Sequence, residues 1–232
     1  MLGVFTDYDG TLVPPELVYG EGPGEELSDV LKELSKYVKL AIVTTKDCDF
    51  IKSRVPYAHG YGCINGVEVI AGGYVAEADD IREGLRDLAS SLSGRVYEKY
   101  THSGRLAGVT VDWRDVGSPP AWLEEALAKA ESMGLKVVRY RRHPFVDIYA
   151  SSRDKGEAVR LLKALLGVTY VVYMGDSEND MPAWRLADVK ILVRHEYNAH
   201  LREGLISIPQ GELVNYLREV LQAVKSHAAA GI

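Results

Sequence analysis

Short apolar runs alternate with segments of helical periodicity along much of this chain. Leu2–Thr6 and residues 40–43 and 169–174 are apolar or β-branched runs without polar alternation, as is typical of strands that are buried on both faces. Residues 25–38 and 157–166 repeat apolar positions on one helical face. Strands that alternate with amphipathic helices predict an α/β fold built on a Rossmann-like parallel sheet.

The same alternation continues towards the end of the chain. Residues 189–193 and 205–208 are predicted strands, and residues 212–224 form a predicted final helix. The tail at residues 228–232 is expected to fray, because chain termini are poorly ordered unless they are tied down.

The pattern changes in the middle of the chain, after the pair Gly72-Gly73. The elements predicted there are helices at 81–92 and 119–133 and strand pairs at 95–100 with 106–113 and at 135–141 with 145–150. Helix, two strands, helix, two strands is the order of an α+β unit. We therefore expect residues 1–72 and 152–232 to form one core, with residues 73–151 inserted as a cap.

Two carboxylates directly follow the first predicted strand. Asp7 and Asp9 belong to the run Asp-Tyr-Asp-Gly-Thr-Leu, and parallel sheets bind their ligands beyond the carboxyl ends of the strands. A tight turn is the plainer interpretation, because Asp-Gly followed by Thr suits one.

A second acidic loop with the same layout follows the strand at residues 169–174. It reads Gly-Asp-Ser-Glu-Asn-Asp and contributes Asp176 and Asp180. Helix capping would explain one or two of its residues but not the whole set. Two unit charges about 4 Å apart repel by roughly 4 kcal/mol at an effective dielectric near 20. Bringing both acidic loops together therefore predicts a hard divalent cation such as Mg2+.

These two motifs resemble the first and fourth motifs of the haloacid dehalogenase superfamily of phosphohydrolases. Two weaker marks stand between them in the expected order. Thr44 ends a predicted strand and resembles the second motif, and Lys155, before an amphipathic helix, resembles the third. Each alone has an ordinary explanation, since Thr44 could cap the next helix and most lysines are solvated. The resemblance extends along the whole chain.

The resemblance implies a role for each of these residues. Asp7 is the nucleophile that carries an aspartyl phosphate, and Asp9 is the general acid and base. Thr44 and Lys155 hold the phosphoryl oxygens. The metal set that the resemblance implies consists of Asp7, Asp9 through its backbone carbonyl, Asp176 and Asp180, with Asp180 holding either the waters of the metal or Lys155.

Further residues are expected to contact the substrate. Gly10 lets the backbone come close to the phosphate, and Thr11 and Thr45 lie beside it in the two motifs. Asn65 stands in an Asn-Gly pair where the resemblance places a substrate contact, although plain hairpin chemistry explains it equally well. Arg114 is a cap candidate, as are Lys99 and the basic run 139–143, but exposed surface positions are the commoner outcome for such residues.

Composition and charge limit the other possibilities. A net charge of -6 argues against a general nucleic-acid binder. The sequence has no apolar stretch of about 18 residues, so no membrane span is expected. Cys48 and Cys63 form no C-x-x-C pair and are expected to be reduced. A secretion signal is not expected, because the first predicted strand already begins at residue 2. These points predict a cytoplasmic location. The oligomeric state cannot be inferred.

The order of the cap elements resembles that of the sugar-phosphate phosphatases, and most closely the trehalose-6-phosphate phosphatase-like group. The second and fourth motifs depart from that group and instead resemble the mannosyl-3-phosphoglycerate and phosphoglycolate phosphatases. A small phosphate ester is the expected partner, with trehalose 6-phosphate the first choice. A phosphomutase and a non-catalytic phosphosugar-binding protein remain as alternatives of other classes.

Overall fold

The strands form an eight-stranded and a four-stranded sheet in the part of the chain that the computed structural model describes, residues 1–15 and 22–229. The large sheet has the order β12-β11-β10-β1-β2-β3-β4-β5. Its strands are β1 Leu2–Thr6, β2 Lys39–Val43, β3 Gly60–Cys63, β4 Glu68–Ala71, β5 Tyr74–Glu77, β10 Tyr170–Gly175, β11 Val189–Arg194 and β12 Ile206–Pro209. The helices are α1 Glu25–Leu34, α2 Cys48–Arg54, α3 Gly84–Ser91, α4 Leu123–Ser132, α5 Lys155–Leu166, α6 Met181–Leu186 and α7 Leu213–Ala229.

Strand β1 occupies the middle of the large sheet and aligns its neighbours. It runs parallel to β10 and to β2, and Thr6 is in register with Met174 on one side and Ile42 on the other. The carboxyl ends of the three strands therefore lie side by side. The segments that follow them in the chain meet at this edge, as the sequence predicted.

Helices cover both faces of the large sheet. Val4 packs in a core cluster with residues of α1 and α7, whereas its neighbour Phe5 packs in a second cluster with residues of α5 and α6. Successive strand side chains point to opposite faces. Because both residues are at most 1% exposed, the prediction of a strand buried on both faces is confirmed.

The four-stranded unit comprises residues 84–149, from α3 to β9. Its strands are β6 Val96–Tyr100, β7 Leu106–Asp112, β8 Lys136–Arg139 and β9 Phe145–Tyr149, in the antiparallel order β6-β7-β9-β8. Helices α3 and α4 contact β7 and β8 and bury Leu85 and Leu127. The predicted α+β order of this part of the chain matches these elements.

The large sheet extends further along the chain than the expected domain boundary at residues 72 and 73. Strand β5 pairs with β4 in antiparallel register, with Ala71 opposite Tyr74. Gly72 and Gly73 both have positive φ, so they form the turn of a hairpin and do not end the sheet. The Gly-Gly pair favours a domain boundary in the sequence because β5 is an edge strand. The exposed side chains of β5 give no apolar pattern that would mark it as part of the sheet.

Two helix ends also differ from the prediction. Helix α1 ends at Leu34, four residues early, because a turn at residues 35–37 brings the buried Val38 into line with β2. Helix α7 continues to Ala229, so the first two residues of the expected frayed tail are helical, and the rest of that tail lies outside the described residues.

Cys48 and Cys63 form a disulfide, so the expectation that they are reduced is wrong. Cys48 opens α2 and Cys63 ends β3, and their Cα atoms lie 5.4 Å apart although 15 positions separate them in sequence. The fold brings the two elements together, which their spacing could not reveal. The expected cytoplasmic location loses the support that reduced cysteines gave it. No helix among the described residues combines the length and apolar character that crossing a bilayer requires.

Candidate active site

The carboxyl edge of the large sheet brings together the principal residues of the four motifs. Asp7 follows β1, Thr44 follows β2 and Asp176 follows β10, while Lys155 begins α5. The N–H of Asp7 extends the strand ladder by donating to the carbonyl of Met174 at 2.8 Å. All four residues are buried, with at most 4% of their surface exposed.

Lys155 joins the two acidic loops. Its Nζ lies 2.7 Å from Oδ2 of Asp7 and 2.8 Å from Oδ1 of Asp180. Burial lowers the pKa of Lys155, but the carboxylates of Asp180 and Asp7 outweigh burial and raise the pKa above its usual value. The ammonium is therefore charged at neutral pH, and it holds the expected nucleophile and the second loop in one arrangement.

Asp180 has a positioning role in this arrangement. Its Oδ1 also accepts from the hydroxyl of Tyr173 at 2.7 Å. Its Oδ2 accepts from the backbone N–H groups of Asp176 and Ser177, both at 3.0 Å. Both oxygens of Asp180 are thus engaged by donors, so its carboxylate holds Lys155 and the backbone of the loop in place.

Asp176 lies flat against the backbone of the first acidic loop. Its Oδ1 accepts from the hydroxyl of Thr11 at 3.1 Å, and its Oδ2 lies 2.9 Å from Nε2 of His195. A Cβ at Gly10 would meet Oδ2 of Asp176 at 2.3 Å, so only glycine permits this contact. Thr11 thus contacts a carboxylate and does not line the cavity.

The buried carboxylates carry more negative charge than Lys155 balances. Oxygens of Asp7, Asp176 and Asp180 lie within 4.8 Å of one another. Burial raises the pKa of Asp7 and of Asp176 well above the usual value, and repulsion by Asp180 raises both further, while Lys155 opposes the increase. Such an excess of buried carboxylate oxygen fits a hard divalent cation, which would restore the ionised forms.

Asp9 and Thr44 both contact Lys46, which lies in the loop after β2. The side chain of Asp9 is 34% exposed, and its Oδ2 lies 3.5 Å from Nζ of Lys46. Thr44 is buried, and its Oγ1 accepts from the N–H of Lys46 at 3.2 Å. Lys46 lines the cavity together with Thr45. Sequence reasoning did not select Lys46, although a lysine two residues after the second-motif threonine was available as a signal.

Asn65 lies behind the site. It has φ 56 and is 2% exposed, and its backbone N–H donates to the carbonyl of Thr44 at 3.0 Å. Its side chain is not among the residues that line the cavity. The Asn-Gly pair therefore serves the turn between β3 and β4, where a left-handed conformation is needed, and supports Thr44 through the backbone.

A cavity of about 350 Å³ lies between the acidic edge and the four-stranded unit. Asp7, Asp9 and Gly10 line one wall. Lys99, Asp112, Arg114, Tyr140 and Asp147 line the opposite wall, which consists of one face of the small sheet and its loops. The volume is at the lower end of that of pockets that hold small molecules.

The far wall of the cavity is polar and rigidly paired. Nζ of Lys99 lies 2.9 Å from Oδ1 of Asp147, both side chains being at most 6% exposed. Asp147 also accepts from the hydroxyls of Thr110 and Tyr140. Burial lowers the pKa of Lys99, with Asp147 acting against it. Fixed donors and acceptors of this kind suit a ligand with several hydroxyl groups.

Arg114 lies at the cavity mouth and bridges the two parts of the chain. Its Nε lies 2.9 Å from Oδ2 of Asp112, and its Nη1 donates to the carbonyl of Pro15 at 3.0 Å. Of the basic run 139–143, Tyr140 and His143 line the cavity, whereas the three arginines do not. The three arginines are exposed, which is the commoner outcome expected for this run.

The four-stranded unit rests directly on the second acidic loop. Nδ2 of Asn179 donates to the hydroxyl of Tyr140 at 3.0 Å, and the N–H of Arg141 donates to Oε1 of Glu178 at 3.1 Å. Glu178 and Asn179, two of the three residues between Asp176 and Asp180, thus support the four-stranded unit from below.

The fold places a cluster of buried carboxylates at the carboxyl edge of a parallel sheet, beneath a second α+β unit, and known phosphatases are similar to this chain. A glucosyl-3-phosphoglycerate/mannosyl-3-phosphoglycerate phosphatase of Persephonella marina is 35% identical, over 83% of this chain and 84% of that protein. A probable trehalose-phosphate phosphatase C of Arabidopsis thaliana is 26% identical over 79% of this chain, which spans 64% of the length of that relative. No family model matches the chain.

The fold also matches that of a solved sugar phosphatase described as subclass IIB of the haloacid dehalogenase superfamily. The TM-score is 0.63 at 16% identity, with 98% of this chain and 99% of the other covered. The chain belongs to the haloacid dehalogenase superfamily of phosphatases, and it is a phosphoric monoester hydrolase.

Proposed function

We propose that this protein hydrolyses a sugar phosphate through an aspartyl-phosphate intermediate, with Asp7 as the nucleophile. The observation that carries the proposal is the position of Asp7, whose carboxylate lies at the inner wall of the cavity, 2.7 Å from Nζ of Lys155. An oxygen of Asp7 attacks phosphorus as the bond from phosphorus to the alcohol oxygen breaks. Lys155 stays beside the transferred group and offsets its charge.

Asp9 moves the protons in both steps. Its carboxyl is partly exposed to the cavity, unlike the buried Asp7. In the first step it protonates the departing alcohol oxygen. In the second it removes a proton from the water that attacks phosphorus, after which phosphate leaves and the Asp7 carboxylate is restored. A general acid–base group of this kind typically contributes a factor of roughly 10²–10⁴.

Asp7 and Asp176 would hold a magnesium ion, together with the backbone carbonyl of Asp9. The support is the excess of buried carboxylate at this edge, with one lysine for three acids. A bound divalent cation supplies Lewis-acid polarisation of the phosphoryl group and offsets repulsion between an anionic ester and Asp7. Thr44 and Thr45 would contact the phosphoryl oxygens, and Gly10 leaves room for them.

The four-stranded unit would act as the cap that selects the leaving alcohol. Lys99, Thr110 and Asp147 present fixed polar groups towards the cavity, and a sugar offers hydroxyls to match them. Arg114 adds a cation at the mouth. A substrate with a second anionic group, such as a carboxylate, would use that cation.

Hexosyl-3-phosphoglycerate is the leading substrate, and trehalose 6-phosphate is the second. The order reverses the expectation from sequence, because the 35% identical relative is named for glucosyl- and mannosyl-3-phosphoglycerate. The cation at Arg114 and the departures of the second and fourth motifs from the trehalose group agree with this order. Trehalose 6-phosphate is the second candidate because the 26% identical relative is named as a probable trehalose-phosphate phosphatase.

The test is release of inorganic phosphate from purified protein with Mg2+ and each of four esters. These are glucosyl-3-phosphoglycerate, mannosyl-3-phosphoglycerate, trehalose 6-phosphate and sucrose 6-phosphate. We expect the two phosphoglycerates to have the highest kcat/KM, chelation of Mg2+ to stop turnover, and Asp7→Asn to release no phosphate while it remains folded. Turnover by Asp7→Asn at the wild-type rate would refute the assignment of the nucleophile.

A further inference from the structure

His195 is a buried polar side chain at the acidic edge that none of the four motifs includes. It follows β11, and its side chain is 5% exposed, while that of Asp176 is 3% exposed. Nε2 of His195 lies 2.9 Å from Oδ2 of Asp176. The contact thus joins the end of β11 to Asp176, the carboxylate that the proposed function assigns to the cation.

The second ring nitrogen determines where the ring proton lies. Nδ1 of His195 accepts from the backbone N–H of Tyr197 at 3.2 Å. A nitrogen that accepts an N–H carries no proton of its own, so the proton is on Nε2. Nε2 therefore donates to Asp176, and the ring acts as a fixed hydrogen-bond donor to that carboxylate.

The turn that carries His195 is tied to the acidic loop. The N–H of His195 donates to Oδ1 of Asn198 at 3.1 Å, and Nδ2 of Asn198 donates to the carbonyl of Asp176 at 2.9 Å and to that of Val193 at 2.8 Å. Asn198 is fully buried. The side-chain amide of Asn198 thus binds the backbone of both Asp176 and His195. This fixes the distance between the imidazole ring and the carboxylate.

We propose that His195 is a positioning residue, whose Nε2–H holds Oδ2 of Asp176 so that the carboxylate stays preorganised for the cation. This inference rests on the proposed function. Thr11 holds Oδ1 from the other side, and each oxygen keeps a lone pair, because an ionised carboxylate can accept about four bonds. Loss of an outer partner of this kind typically costs roughly 10–100-fold in metal affinity.

The cap side of the cavity shields this contact. The ring of His143 packs against the rings of His195 and Tyr197, with centroids 5.7 Å and 5.3 Å apart. His143 is 8% exposed. A hydrogen bond shielded from water is stronger than an exposed one, so docking of the four-stranded unit favours the orientation of Asp176.

His143, Asp176 and His195 could instead form a transition-metal site. His143, Asp176 and His195 offer ligand atoms within 4.8 Å of one another, and Nε2 of His143 is buried without a hydrogen-bond partner. Against this, a metal ion on Nε2 of His195 would require the proton on Nδ1, where the Tyr197 N–H already points. The positioning role needs no such rearrangement.

The test measures cation binding in the absence of substrate. Calorimetry with Mg2+ and electron paramagnetic resonance of free Mn2+ give the affinity of wild type and of four variants. We expect His195→Ala to bind Mn2+ about 10–100-fold more weakly. His195→Gln places an amide N–H near the Nε2 position and recovers most of that loss. His195→Asn is polar but too short to reach Asp176, and it resembles His195→Ala.

His200→Ala is the matched control. His200 pairs with Glu178 of the same loop at 2.8 Å, but Glu178 is not assigned to the cation, so the affinity stays at the wild-type value. Thermal unfolding of each variant separates loss of binding from loss of fold. If the alanine variant does not fold, the comparison of His195→Gln with His195→Asn decides the question.

Four results would overturn the proposal. Equal Mn2+ affinity in wild type and His195→Ala would show that the His195 donor does not contribute to cation binding. Failure of His195→Gln to recover affinity would show that an N–H donor at this position is not what matters. A second Zn2+ equivalent in wild type that is lost in both His143→Ala and His195→Ala makes the histidines ligands. Absence of Mg2+ and Mn2+ binding by wild type would refute the proposed cation centre itself, and this inference with it.

Discussion

Nζ of Lys155 lies 2.7 Å from Oδ2 of Asp7, with the lysine fully buried. The contact joins the start of α5 to the end of β1, and Asp180 accepts the same ammonium at 2.8 Å. An amine buried between two carboxylates is a part of the core as well as the catalytic group proposed above. Its removal should therefore affect turnover and stability together.

Replacing Lys155 by methionine leaves Asp7 and Asp180 buried without their shared cation. We expect Lys155→Met to lower the free energy of unfolding by about 3–5 kcal/mol, which is the usual cost of breaking a buried ion pair on one side. We also expect phosphate release to fall to background. Urea unfolding followed by circular dichroism measures the first effect. Lys163→Met, on the same helix, should stay within about 0.5 kcal/mol of wild type, and an equal loss there would refute the argument.

A methyl group at Gly10 would push Asp176 out of place. Gly10 has φ +76, and a Cβ there would lie 2.3 Å from Oδ2 of Asp176. We expect Gly10→Ala to lose cation affinity and turnover. Gly117→Ala is the control, because Gly117 has φ +75 with nothing within 4 Å of the added Cβ. It should show only the backbone penalty of about 1–2 kcal/mol. Similar cation affinity in the two variants would contradict this account.

Reduction of the disulfide should lower stability more than activity. The bond between Cys48 and Cys63 closes a loop of 15 residues, and a loop of that size is worth about 3 kcal/mol. That corresponds to a decrease in Tm of about 6–12 °C for a chain of this length. The Thr44 loop keeps its hydrogen bonds from the N–H groups of Asn65 and Ile64, at 3.0 Å and 2.8 Å, so turnover should persist.

Differential scanning calorimetry with and without a thiol reductant measures this effect. The double variant Cys48→Ala, Cys63→Ala should unfold at one temperature in both conditions, near that of the reduced wild type. A Tm of the wild type that does not respond to complete reduction would show that the bond contributes nothing to stability.

Asp80 should make the connection between the two parts of the chain sensitive to acid. It accepts hydrogen bonds from Ser151 and Ser152, at the other crossing between the large sheet and the four-stranded unit. Burial opposes ionisation, but these hydrogen bonds outweigh it and lower the pKa of Asp80 to about 2. A lowered folded-state pKa stabilises the fold above the ordinary value of 3.8, and this contribution is lost as the pH falls towards 2.

Comparison of wild type with Asp80→Asn isolates that contribution. We expect wild type to be more stable above pH 5 and the difference to shrink between about pH 4 and pH 2. Urea unfolding at a series of pH values measures it. A difference that is constant from pH 6 to pH 2 would rule out ionisation of Asp80 as the source.

Local patterns were sufficient for the elements that carry the chemistry. Asp7 and Asp176 follow apolar strands, and an apolar run without polar alternation is recognisable because burial on both faces demands it. The same reasoning misplaced the boundary near Gly72-Gly73, because the exposed strand Tyr74–Glu77 has little apolar signal. Edge strands and helix ends depend on neighbours that the local sequence does not specify.

Most strands and helices, the two acidic loops and the inserted α+β segment could be predicted from the sequence, because each is encoded over a few adjacent residues. The contact of Cys48 with Cys63, the hydrogen bond from His195 to Asp176 and the support of Thr44 by Asn65 could be seen only in the folded chain. Each of these contacts joins residues 15 or more positions apart. Over such separations, the packing of whole helices and strands determines which side chains meet. A short run of residues does not specify that packing.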